Sequence, residues 1–331
     1  MLKLDDVKCF AWGTAALLLL SAVAAAILPF AFSVAIVFLF AGPHIWVELR
    51  YFLSRLPSRF GPWRRFFFGS FAGIIALCGS YILLLFLMNE QILESASALL
   101  LFRLWLLLLH VWLAFLLLSR ARQISILSRN SALFGLCLSA FLAILAPEKF
   151  SLFLAYLHPL IGLIILDREL KRSRPTWLIS YRRICLILLP LTLFAMGSFL
   201  WSAANIEHKG IDIERQIVQE SGAYIFQSAS PHMLVSVHAF LEMLHYGVWV
   251  IAIPLATRAL SRRRWRPEFM PITRSRPELA AAVKALLLFS SFAVLALWLS
   301  FCQNYVVTRE LYFTFAIFHI IAELPFLLWM L

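Results

Sequence analysis

Apolar residues run along this chain in long unbroken blocks, without the alternation of a half-buried strand or the narrow stripe of a surface helix. A membrane-crossing helix needs about 20 mostly apolar residues. That rule marks ten candidate spans: 10–28, 31–53, 66–88, 96–119, 131–146, 150–166, 184–203, 233–257, 279–300 and 311–331. The fifth and sixth are short and meet at Ala146-Pro147-Glu148-Lys149. The pattern predicts an all-α fold, a polytopic transmembrane helical bundle of about ten spans, forming a single domain over 1–331 with an extracytoplasmic loop at 205–233. The apolar stretch from Cys9 to Ala41 is too long for a signal-peptide core, and Asp5 and Asp6 sit where its basic region would be. It reads as a retained first helix turning near Pro29 into a second.

Composition agrees. Of 331 residues, 63% are apolar, 15% aromatic and 14% charged, against about 45–50% apolar and about 25% charged in a soluble domain. This excludes a cytosolic enzyme, a nucleic-acid-binding domain and a disordered chain. The five cysteines lack CxxC spacing and read as small core residues.

A formal net charge of +12 suggests nucleic acid until its placement is considered. With the N-terminus inside, the inner segments hold most of the basic residues: Lys3 and Lys8, then Arg50 to Arg65, Arg120 to Arg129, Arg168 to Arg183, and Arg258 to Arg276. The outer segments hold only Lys149, Lys209, Arg215 and Arg309. That asymmetry is the positive-inside pattern for ten spans with both termini cytoplasmic. The charge then faces anionic lipid, with no nucleic-acid partner needed. The expected location is a bacterial inner membrane.

Ionisable residues within spans are costly and mark function. Six of the eight histidines lie in spans: His44, His110, His158, His238, His245 and His319. Each is on an even-numbered span. Counted from the outer end, His44, His110 and His245 fall near mid-depth, and His238 is the shallowest. Three have a glutamate four residues on: His44 with Glu48, His238 with Glu242, and His319 with Glu323. For 8 histidines and 13 glutamates, chance predicts about 0.3 such pairs. A spacing of four puts both side chains on one helical face, and His245 extends the stripe of His238 and Glu242.

Neutral imidazole with carboxylate is a donor set for iron, zinc or manganese. Helical bundles build such centres from inward-facing His and Glu on several helices. The expected ligands are His44, His238, His245 and His319, with Glu48, Glu242 and Glu323 as further ligands, or as bases accepting imidazole N–H. His110 and His158 join them as candidates, though interhelical hydrogen bonding weighs more for these two, and His158-Pro159 reads equally as a kink. Gly42-Pro43 is expected to break the second helix. The run Arg50, Tyr51, Phe52, Arg55, Arg59 reads as a juxtamembrane anchor.

At Gly42-Pro43-His44 through Glu48 the sequence resembles the bacteriorhodopsin-related-protein-like family of membrane β-carotene dioxygenases, whose motif is Pro-His followed four residues later by an acid. The stretch His238-Ala-Phe-Leu-Glu-Met-Leu-His245 is similar in carrying two histidines on one span, with a different spacing. Ile45 stands where the family has glycine, and Glu48 where aspartate is usual. The resemblance implies a multi-histidine non-haem iron, with His44 and one of His238 or His245 among its ligands.

Together these readings predict a membrane metalloenzyme acting on an apolar substrate that enters from lipid: an isoprenoid, carotenoid or acyl chain. The metal is expected to be Fe2+, with Zn2+ or a di-metal site as alternatives. Other classes remain open. The same residues serve a proton- or metal-coupled transporter, a haem-bearing electron carrier with axial histidines, or a structural subunit with membrane-protein partners.

Overall fold

The computed structural model describes residues 4–120, 125–203, 212–257 and 266–330. Lys3, Arg122, His208, Lys209, Arg258 and Arg262 to Arg264 lie outside them. Among the described residues there is no strand, and ten helices are long and apolar enough to cross a membrane. They are α1 (Leu4–Ile27), α2 (Pro29–Arg55), α3 (Arg64–Asn89), α4 (Ser95–Ser119), α5 (Ile126–Leu145), α6 (Pro147–Ser173), α7 (Pro175–Leu200), α9 (Pro231–Thr257), α10 (Leu279–Gln303) and α11 (Tyr305–Met330). A short polar helix, α8 (Asp212–Glu220), forms within the expected loop. The chain is an integral membrane protein.

The helices follow the apolar blocks, but several ends extend past them into charged sequence. Prolines set four starts: Pro29 opens α2, Pro147 α6, Pro175 α7 and Pro231 α9, where a missing N–H costs nothing. Helix α6 runs on to Ser173 because its charged residues find partners. Asp167 takes two hydrogen bonds from Arg182, and Glu169 pairs with Arg55. Helix α11 begins at Tyr305, ahead of the apolar block, because Arg309 is also neutralised inside the fold.

Contacts divide the chain into two compact units: Met1–Ser58 with Tyr156–Thr314, and Arg59–Ala155 with Phe315–Leu331. In the first unit α9 is central, and nearly every residue from Met233 to Trp249 is buried. One side packs against Leu18, Ala22 and Ala25 of α1 and Leu189 and Met196 of α7. Another packs against Ile36, Val37 and Ala41 of α2, Phe301 of α10 and Tyr312 of α11. The expected break at Gly42-Pro43 does not occur, and α2 runs through it. The glycine serves a close approach instead: a Cβ at 42 would stand 2.9 Å from Val294 Cγ1 of α10.

The juxtamembrane reading of the Arg50–Arg59 run also needs correction. Tyr51 is buried and donates a 3.0 Å hydrogen bond to Glu169 Oε2, and Arg55 pairs with the same carboxylate. A buried carboxylate is retained only with such neutralisation. None of the five cysteines is fully buried: Cys9, Cys137 and Cys302 are exposed, and Cys78 and Cys185 half-buried. In a bilayer the outside of the bundle is as apolar as the inside, so hydrophobicity does not distinguish the two. The exposed Trp12, Phe134, Phe199 and Phe289 make the same point.

In the second unit, indoles tie helices together. Trp105 Nε1 donates to the Leu77 carbonyl at 3.0 Å and Trp112 Nε1 to that of Gly69 at 2.9 Å. Such interhelical bonds average roughly 0.6 kcal/mol in a membrane protein.

Candidate metal centre

Helix α2 carries a polar stripe. Ser33, His44, Glu48, Tyr51 and Arg55 fall on one face at 100° per residue. Helix α9 carries a second stripe of His238, Glu242, His245 and Trp249, and α6 a third of His158, Gly162 and Glu169. The first unit turns these three faces towards one another.

The result is a buried cluster. His44 is 0% exposed, Glu48 and His245 2%, and His158 8%. His44, Glu48 and His245 each offer a ligand atom within 4.8 Å of the others, and His158 meets His245 within the same distance. The His245 ring is the junction, with its centroid 4.3 Å from that of His158 and 5.2 Å from that of His44. With metal–ligand bonds of about 2.0–2.2 Å, opposed ligand atoms stand about 4.2 Å apart. The cluster is therefore close to the size of a coordination sphere.

The surroundings fix these rings. His44 Nδ1 lies 3.0 Å from the Phe40 carbonyl oxygen. A carbonyl only accepts, so Nδ1 carries the hydrogen and Nε2 keeps its lone pair, the tautomer a metal ligand needs. Tyr246 packs its ring 4.6 Å from His44 and its hydroxyl lies 3.2 Å from that of Tyr312. Gly162 leaves room beside His245: a Cβ there would stand 3.4 Å from His245 Nδ1.

The structure sorts the remaining candidates. His238 and Glu242 pair with each other, Nδ1 to Oε2 at 3.9 Å. They sit on the α8 side, with His238 two turns from His245, about 10 Å along the helix axis. His110 belongs to the second unit and leaves neither ring nitrogen for an ion: Nδ1 bonds the Leu106 carbonyl at 2.7 Å and Nε2 meets Ser139 Oγ at 3.0 Å. Its role is to tie α4 to α5. His319 and Glu323 stand one turn apart on the part of α11 that belongs to the second unit, where Glu323 is buried and His319 half-buried. His158 joins the cluster despite the kink reading of His158-Pro159, and α6 is continuous there.

Neither hydropathy nor His-to-Glu spacing marks Glu169 or Tyr246, and the basic run assigns Tyr51 to an anchor. Glu169 follows Asp167 and Arg168, so hydropathy assigns it to a loop. The available signal was its place in the α6 stripe, eleven residues after His158.

An apolar cavity of about 620 Å³ also opens in the first unit, lined by residues including Leu17, Leu163, Leu189, Leu244, Val248 and Leu255. Val248, which lines it, stands three residues from His245 and flanks Gly162 together with that histidine.

Comparison with known proteins brings no relative to this site: no family model, no curated protein and no solved structure matches the chain.

Proposed function

We propose that this chain is a membrane metalloenzyme that binds iron at His44, Glu48, His245 and His158 and oxidises an apolar substrate drawn from the lipid. The observation that carries the reading is the convergence of two imidazoles and one carboxylate within 4.8 Å in a buried position. Two histidines with one carboxylate form the donor set of non-haem iron oxygenases. The resemblance at Gly42-Pro43-His44 through Glu48 to membrane carotenoid dioxygenases points the same way. Bound iron would supply oxygen activation, and zinc in its place would supply an activated water.

The chain's own residues have definite tasks in this reading. Phe40 orients His44 through its carbonyl, Glu48 offsets the metal's charge, and the apolar walls exclude water. An isoprenoid, carotenoid or acyl chain fits such a site because it reaches the protein through the bilayer. Placement in a bacterial inner membrane, with both termini cytoplasmic, belongs to the same proposal and rests on the basic clusters. Membrane lipid, and membrane-protein partners where the chain acts in an assembly, complete it.

The test is full-length protein in lipid nanodiscs, loaded with Fe2+ and given a carotenoid or polyunsaturated lipid under oxygen. Substrate-dependent oxygen uptake that disappears in His245→Ala supports the reading. A metal-loaded, folded sample without uptake on either substrate class removes the oxygenase assignment.

A transport reading has its own support. The α2 stripe from Ser33 to Arg55 covers 22 residue steps, about 33 Å, which is the thickness of the hydrocarbon core. Metal or proton uptake by sealed proteoliposomes, without oxygen consumption, would favour it.

A further inference from the structure

Between the cluster and α8 lies a second polar site. Glu242 and His238 face each other at 3.9 Å, with side chains only 10% and 8% exposed. Among the described residues no hydrogen-bond donor reaches either Glu242 carboxylate oxygen. The nearby cation, Arg309, is already committed. Its Nε and Nη2 lie 2.9 and 2.8 Å from Glu220 Oε2, and its other donors reach Tyr305 and Ser33. Arg309 and Glu220 together are neutral, so Glu242 has no full counter-charge.

An ionised carboxylate in that position would bear a desolvation cost of several kcal/mol with nothing to offset it. A proton on the carboxyl, or one shared with the imidazole, removes the cost. The titratable neighbours of Glu242 leave it short of positive charge. Tyr156 of α6, Tyr305 and Tyr312 of α11 and Tyr246 of its own helix are neutral phenols, and Glu220 adds a like charge that only Arg309 opposes.

We propose that His238 and Glu242 form a proton-holding station, loaded through Glu220 at the α8 end of the first unit. Glu220 lies outside the spans with its side chain 18% exposed, and it is close enough to His238 for each to feel the other's charge. Burial pushes the Glu220 carboxyl up from the ordinary carboxylate value, against the pull of Arg309. It therefore accepts a proton from solvent more readily than an exposed glutamate. A proton released from the Glu220 carboxyl is taken by the His238 ring, which then gives its proton to a Glu242 oxygen. Each transfer breaks one O–H or N–H bond and makes another, and no electrons move. Delivery onward to the metal centre rests on the proposed function; the station itself does not.

The test is dicyclohexylcarbodiimide, which forms adducts with protonated carboxyls in apolar surroundings, applied to the full chain in nanodiscs. Adducts are located by peptide mass spectrometry, and metal content is measured on the same samples. The expected result is labelling at Glu242 and none at exposed Glu148. Labelling should fall about tenfold per pH unit once the pair loses its proton, and Glu220→Gln should slow its response to a pH jump. Infrared spectra of the wild type should show the carbonyl band of a protonated carboxylic acid, lost in Glu242→Gln. Absence of both adduct and band between pH 5 and 9 overturns the proposal (a range of about two units either side of neutrality). Labelling in a chain that binds no metal upholds the station and defeats only its link to the metal centre.

Discussion

Gly162 offers a sensitive probe of the cluster, because it touches His245 without being a ligand. A Cβ placed there would meet His245 Nδ1 at 3.4 Å, Val248 Cγ1 at 3.5 Å and Trp249 Nε1 at 3.6 Å. These are ordinary van der Waals distances, so Gly162→Ala fits without movement. It should also gain about 0.5–1 kcal/mol from lower backbone entropy in the helix. Leucine adds three further carbons to space already filled by the imidazole, the valine and the indole. Overpacking of that kind costs about 1–3 kcal/mol, and the side chain that yields is His245. Displacing a ligand's support lowers metal affinity about 10–100-fold, or about 1.4–2.7 kcal/mol. Chelator competition on purified protein in nanodiscs measures the affinity, and thermal unfolding of the same samples measures stability. The expected order is alanine equal to or above wild type in both, with leucine below in both. Wild-type affinity in Gly162→Leu would refute the place given to His245, and so would an alanine variant as damaged as the leucine one.

Other substitutions separate the parts of the molecule. Glu169→Ala leaves Arg55 buried without its partner and should cost about 3–5 kcal/mol in stability, while Tyr51→Phe removes one hydrogen bond and should cost about 0.5–1.5 kcal/mol; chemical unfolding in detergent compares the two. His110→Ala should lower the melting temperature through the lost Ser139 and Leu106 bonds while metal content stays at wild type, because neither ring nitrogen is available to an ion. Glu220 has its carboxyl raised in the folded protein by burial, so the folded state binds more protons than the unfolded one above the ordinary carboxylate range. Its contribution is fully present below that range and is lost as pH rises through the folded value. Unfolding measured across pH should show this decline, and Glu220→Gln should flatten it.

The sequence makes the spans legible because apolar block length is all that a bilayer asks of a helix. It places their ends poorly wherever charges are paired inside the fold, as with Glu169 and Arg309. Both look like loop residues until Arg55 and Glu220 are seen beside them. The three His-to-Glu pairs are equally visible from spacing, but spacing fixes only the face of each helix. It does not say that His158 on α6 would meet His245, or that His238 and Glu242 would pair apart from it. Those outcomes depend on how α2, α6 and α9 pack, including the contact of Gly162 with His245, Val248 and Trp249. The break expected at Gly42-Pro43 does not form: α2 runs through the proline, and Gly42 lies against Val294 of α10.

The central claim is that His44, Glu48, His245 and His158 hold one metal centre. Elemental analysis of the purified full-length chain, supplemented with Fe2+ and Zn2+ in turn, tests it most directly. The account predicts bound metal in the wild type, its loss in His44→Ala and His245→Ala, and its retention in His110→Ala. A folded wild type that takes up neither metal, or His245→Ala binding as the wild type does, would contradict it.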